Sequence, residues 1–288
     1  MAYRMITDSC ADLTEEYARE RELTVIPMVY NIEGKDYLDD GGKSLSYHEF
    51  YEKLRAQIPS TTAQINAAKF EEIFSPILEN GEDILYMAFS SALSGTYQSA
   101  VLAKAELEEK YPGRKVFVLD TKSASMGQGL LVDYALNNRD AGMDLEQNFQ
   151  WLEENRCNLC HWFTVFDLNH LKRGGRVSAA AAFFGTMLSI KPVLHVDDEG
   201  RLIPMEKAKG RARSIKALFE HMKSTAIQPE NQTVFISHGD SEQDALALKE
   251  MVIKELHVKE VRVGYIGPII GAHSGPDTIA LFFMGTQR

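Results

Sequence analysis

The residues best placed to do chemistry are small hydroxyls and one glycine, Ser90-Ser91-Ala92-Leu93-Ser94-Gly95-Thr96. The run ahead of them, Asp83 to Phe89, is apolar and short, which predicts a buried strand. Behind them Ala100, Val101, Ala103, Leu107 and Tyr111 recur at helical spacing until Pro112-Gly113. A strand that passes through hydroxyls into a helix points unpaired backbone N–H groups outward at the positive end of the helix dipole. That geometry favours an anion. Ser94 is the expected N-cap, Gly95 lets a ligand oxygen approach the backbone, and Thr96 adds a hydroxyl. An ordinary serine-capped turn that binds nothing carries the same local signature, so this stretch alone does not decide.

Other stretches offer compatible groups. Asp8-Ser9 follows the first strand, Tyr3 to Thr7, at the edge where parallel sheets place their ligands. Thr62 lies in a hydroxyl-rich segment, Pro59 to Gln64, expected to be a loop before a helix capped by Asn66. His273 sits among glycines and prolines in Gly267 to Pro276, expected as a tight loop that exposes a proton-bearing ring. Ser94 and His273 with Asp8 or Asp120 would also make a hydrolase-type triad. The Gly-x-Ser-x-Gly elbow of such enzymes is not written here, because Ser94 follows leucine. Neither a Walker A pattern nor a glycine-rich dinucleotide fingerprint occurs, which removes the usual phosphoryl-transfer machinery. Cys157-Asn158-Leu159-Cys160-His161 matches the c-type haem attachment pattern and half of a zinc site; haem attachment is expected outside the cytoplasm, a second zinc-ligand pair is missing, and the stretch closes a helix and enters a strand, so it reads as structural, with no metal and no cofactor expected.

These groups must be positioned by alternating strands and helices, which predicts an α/β protein. Residues 1–155 are expected to form an N-terminal domain with a mostly parallel sheet between helical layers, with one strand spanning Leu23 to Tyr30. Residues 156–288 are expected to form a second α/β domain with a mixed sheet, including a hairpin of Pro192 to Val196 with Arg201 to Met205. Between them, Leu171-Lys172-Arg173-Gly174-Gly175-Arg176 is a basic turn before an alanine-rich helix.

Net charge is −10, which argues against nucleic acid as a general partner. Lys172 to Lys216 nonetheless holds ten Lys and Arg against four Asp and Glu, a local +6. A basic face on an acidic chain suits an anionic partner or a membrane surface; a solvated surface would look the same. The start of the chain lacks the basic and apolar regions of a signal peptide, and the apolar run from Val177 to Ile190 is too short to span a bilayer. A cytoplasmic protein is expected.

Six stretches in order resemble the DegV family of bacterial fatty-acid-binding proteins, the acyl-carrying subunit of fatty acid kinase. They are Ile6-Thr7-Asp8-Ser9, Thr62-Ala63-Gln64, Ser90 to Tyr97, Leu171 to Arg176, Ser189-Ile190-Lys191-Pro192 and Gly271-Ala272-His273-Ser274-Gly275-Pro276. The resemblance implies a fatty acid held between two domains, its carboxylate met by Thr62, Ser94 and His273 with Gly95, Thr96 and Ser9 nearby. It implies a tail tunnel, for which Phe183, Phe184, Met187 and Leu188 are candidates that plain core packing would explain equally, and docking through Arg173, with Lys172 and Arg176, to the kinase subunit or transiently to a membrane. Hydroxyls, helix amides and a histidine would then hold the carboxylate without a permanent buried cation. Where the family usually has Thr-Ser-Gln-Pro, this chain has Thr62-Ala63-Gln64-Ile65, so one hydroxyl and a helix-starting proline are missing.

Overall fold

The computed structural model describes residues 3–177 and 190–288. The first part of the chain runs β1 (Tyr3–Asp8), α1 (Glu15–Glu20), β2 (Thr24–Ile26), β3 (Val29–Ile32), β4 (Lys35–Leu38), α2 (Tyr47–Arg55), β5 (Ser60–Ala63), α3 (Ala67–Glu79), β6 (Asp83–Ala88), α4 (Thr96–Lys110), β7 (Val116–Asp120), α5 (Met126–Asp140) and α6 (Leu145–Asn155). The rest runs β8 (Leu159–Thr164), α7 (Asn169–Arg173), β9 (Ile190–Val196), β10 (Leu202–Lys209), α8 (Arg211–Thr225), β11 (Thr233–His238), α9 (Glu242–Leu256), β12 (Glu260–Tyr265), α10 (Pro268–Ser274) and β13 (Ile279–Met284).

Three sheets result: a parallel one in the order β2-β1-β6-β7, a mixed one in the order β10-β9-β8-β13-β11-β12, and a small antiparallel one, β4-β3-β5. β6 is buried at every position, as a central parallel strand covered on both faces must be. Helix α5 contacts β6 of the parallel sheet and β8, β11 and β13 of the mixed sheet. Leu130, Leu131, Val132, Ala135 and Leu136 are all fully buried, and a helix apolar all round belongs in a core. Two glycines make that close fit possible. A Cβ on Gly127 would sit 2.2 Å from His161 Nε2, and one on Gly129 would sit 2.6 Å from the Ala11 carbonyl.

The expected strand over Leu23 to Tyr30 is instead two strands in two sheets. Pro27, with no N–H to donate to a ladder, falls at the break; β2 joins the parallel sheet and β3 the antiparallel one. The expected loop at Pro59 to Gln64 contains β5, which pairs with β3 so that Thr62 stands opposite Tyr30. The hairpin of β9 with β10 forms as expected, with a bulge between Pro204 and Glu206.

Candidate functional site

A cavity of about 300 Å³ is walled by the mixed sheet on one side and, on the other, by β5 and by residues that follow β6 and β7 of the parallel sheet. Its apolar lining includes Phe89 just after β6, Phe163 on β8, Val196 and Leu202 on the β9–β10 hairpin, Ile269 on α10 and Phe282 on β13. Against this surface stand Thr62, Gln64, Ser94, Gly95, Arg176 and His273. Thr62, Ser94 and His273, more than 200 residues apart at the extremes, thus face one cavity.

Each is held by a defined stretch of backbone. Thr62 is carried by β5. Ser94 lies one residue before the helix boundary expected for it: Gly95 occupies the N-cap of α4, and the Ser94 Oγ accepts from the Thr96 N–H at 3.2 Å. The hydroxyl therefore still satisfies an amide of the first turn, while other amides of that turn have no intrahelical partner. A Cβ on Gly95 would meet Gln64 Oε1 at 2.2 Å, the far end of an exposed side chain that is free to swing aside. His273 is in the last turn of α10 rather than on a loop; Pro268 starts that helix and Gly275, at φ +81°, ends it.

His273 Nε2 lies 2.9 Å from Thr62 Oγ1. Its Nδ1 is buried without a hydrogen-bond partner among the described residues and faces Gly174, where a Cβ would sit 2.2 Å away. Burial pushes the imidazole down to about 4, and the neighbouring Arg176 guanidinium pushes the same way. The ring is therefore neutral near pH 7. Its proton belongs on Nε2, because on Nδ1 it would be a buried N–H with no acceptor. Nε2–H then donates to Thr62 Oγ1, and the threonine hydroxyl proton is left to donate elsewhere.

Arg176 differs from its expected place on a docking surface. It is half-buried, lines the cavity, donates from Nε to the Leu93 carbonyl at 3.2 Å and also donates to the Gly174 carbonyl. The expectation of a site without a permanent positive charge is corrected accordingly. Sequence gave no sign of this, since Arg173 and Arg176 look alike in a basic turn. Arg173 and Lys172 are exposed, and Arg173 donates to His170 Nδ1 at 3.1 Å.

Ser9 and Thr96 are not in the lining. The Ser9 hydroxyl accepts from the Met28 N–H at 3.1 Å, and Thr96 is fully buried with its hydroxyl 3.0 Å from Ser94 Oγ, supporting the turn from behind. The hydrolase triad is not assembled. Asp8 is spent on Tyr86, the Phe89 and Cys10 amides and Gln128, and Asp120 accepts from Ser91 and Lys122. Among the described residues no carboxylate hydrogen-bonds to His273. Phe183, Phe184, Met187 and Leu188 lie outside the described residues.

The cysteines are free thiols: Cys160 is buried with Sγ 3.1 Å from the Gln287 carbonyl, and Cys157 is half-buried. Among the described residues, the group of side chains spaced to share an ion is His48, Glu52 and Asp240, which includes no cysteine. No described helix is long and apolar enough to cross a membrane.

A model of the DegV family, described as one of uncharacterised proteins, matches residues 2–286. A DegV domain-containing protein of Clostridium perfringens is 44% identical over 284 residues, covering 99% of this chain and 98% of that one. A DegV family protein of Thermus thermophilus, solved for its fatty acid binding, superposes with a TM-score of 0.90 at 31% identity, covering 99% and 100% of the two chains. A stearic acid-binding protein of Eubacterium ventriosum gives 0.87 at 25% identity, covering 97% of each. With the family model spanning nearly its whole length, this chain belongs to the DegV family.

Proposed function

We propose that this chain binds one fatty acid, with its tail in the apolar cavity and its carboxylate at Thr62, Ser94 and His273. The observation that carries the reading is the 2.9 Å contact of Thr62 with a neutral His273 at an apolar cavity that also admits the start of α4. A carboxylate leaving water beside a hydrocarbon tail needs several donors at once. The Thr62 and Ser94 hydroxyls and the first amides of α4 are such donors. Each buried methylene contributes about 0.8 kcal/mol, so a long tail supplies most of the affinity. The binding described for the related Thermus and Eubacterium proteins supports the same ligand class.

The finer reading is a carrier that presents the bound carboxylate to an ATP-dependent kinase subunit, giving an acyl phosphate for phospholipid synthesis. The exposed Lys172 and Arg173 would dock that subunit or, transiently, a membrane. In this reading the phosphoryl chemistry is the partner's. Native mass spectrometry of the purified protein, with extraction of any retained lipid, tests the binding. One fatty acid per chain is expected. A protein that purifies empty and shows no saturable binding of long-chain fatty acids from vesicles overturns it.

A further inference from the structure

We propose that Cys157 is a modification site: a small hydroperoxide oxidises its thiol to a sulfenic acid, and Arg288 receives the oxygen so gained. The inference stands apart from the fatty-acid reading, which uses neither residue.

The three thiols of this chain sit in different surroundings. Cys10 and Cys160 are fully buried, whereas Cys157, in the turn between α6 and β8, is partly exposed. Its Sγ donates to the Asp198 carbonyl at 3.9 Å, and Lys122 Nζ donates to the same oxygen at 2.6 Å. The Lys122 carbonyl in turn accepts from Arg288 Nη2. An ammonium and a guanidinium thus stand beside one accessible sulfur. Cysteines that react occupy such electropositive, partly open places.

Arg288 is an independent pointer to the same spot. It is 8% exposed, and Nη2 also donates to Ser123 Oγ at 3.3 Å. Nε and Nη1 are buried without a hydrogen-bond partner among the described residues. Donors shut away from water with no acceptor are costly. Burial pushes this guanidinium down, and the group that opposes burial most is Cys157, ahead of Asp198 and Cys160. A thiol sulfur is a weak acceptor; an oxygen bonded to it is a good one. Cys160 is no second reactant. Its Sγ is turned to the Gln287 carbonyl at 3.1 Å, and burial pushes its thiol up to about 12.

In the step proposed, the ionised sulfur attacks one peroxide oxygen. The S–O bond forms as the O–O bond breaks, and the departing hydroxide takes up the proton released by the thiol, giving water. Sulfur loses two electrons and the peroxide gains them. Lys122 and Arg288 stabilise the negative charge carried through the step, and Arg288 Nε–H and Nη1–H then donate to the bound oxygen.

The test treats the folded protein at pH 7.5 with hydrogen peroxide in the presence of dimedone, which traps sulfenic acids, and locates adducts by peptide mass spectrometry. An adduct is expected on Cys157 and on neither Cys10 nor Cys160. It should form about tenfold faster in the folded protein than on the same cysteine in urea, although folding half-buries it. Arg288→Gln should lose most of that advantage and Arg288→Lys should keep most of it, which separates the charge from the packing of the side chain. A Cys157 that reacts no faster folded than unfolded overturns the proposal without help from any variant. So does labelling of Cys160 in place of Cys157, or an Arg288→Gln protein that folds and keeps the full rate.

Discussion

Two polar regions of this protein look alike in composition and differ in charge balance. One is the cavity mouth of Thr62, Ser94, His273 and Arg176. The other is an open cleft lined by His48, Asp240, Tyr265 and Asp277, near Arg55 of α2. In the cleft the cation is paired. Arg55 meets Asp240 at 2.5 Å, Asp277 at 3.0 Å and Glu52 at 2.8 Å, and His48 meets Asp240 at 3.1 Å. A cation already stands where His48, Glu52 and Asp240 would otherwise gather a metal ion. The mouth shows the reverse: one guanidinium without a carboxylate and one histidine kept neutral. In the cleft one arginine gathers three carboxylates from separate parts of the chain, whereas the arginine of the mouth meets no carboxylate among the described residues.

The largest effect that would sharpen this contrast is in pH. The unfolded chain protonates His273 near its ordinary 6.5, whereas the folded chain resists protonation until about 4. Between those values the unfolded state binds more protons. The contribution of this histidine is therefore complete above about pH 6.5 and is lost as pH falls towards 4, by up to about 3 kcal/mol. Urea unfolding of the parent and of His273→Gln at pH 7.5 and 4.5 should show the parent losing more stability than the variant. Equal losses would mean that the ring is not held neutral.

Next comes the cleft. Arg55→Ala leaves Asp240 and Asp277 facing each other without their cation and should cost about 2 kcal/mol, discounted from a fully buried pair because Arg55 is 30% exposed. Fatty-acid affinity should hardly change. If affinity falls in step with stability, the two regions are not independent.

The smallest effect is at Ser94. Ser94→Ala removes a hydroxyl that accepts from the Thr96 amide and faces the cavity, and should weaken fatty-acid retention by about 1–2 kcal/mol. Hydrolysis of a p-nitrophenyl ester should be negligible in both proteins. Robust turnover in the parent that disappears in the variant would replace the carrier reading with the hydrolase.

What the sequence made legible follows from where its signals are local. Asp83 to Ala88 is strongly apolar and bounded by turn residues, and it is a strand where expected. Ser60 to Ala63 has no apolar alternation; it becomes β5 only because β3 offers it a backbone ladder, which no local pattern announces. Glycines and prolines around His273 suggested a loop, yet Pro268 suits a helix start and Gly275 a helix end, so the same residues bound α10. Ser94 and His273 could be singled out by their neighbours in the chain. Arg176 could not, because what separates it from Arg173 is the carbonyl of Leu93, 83 residues away.

The glycine at 174 is held in place by a neighbour distant in sequence. Its φ of −72° suits any amino acid, so the turn itself does not demand glycine. The demand comes from across the fold, where His273 Nδ1 fills the space a side chain would need. Positions 174 and 273 are thus coupled in space: a methyl group at 174 finds room in this chain only if the ring at 273 shifts or gives way to something smaller.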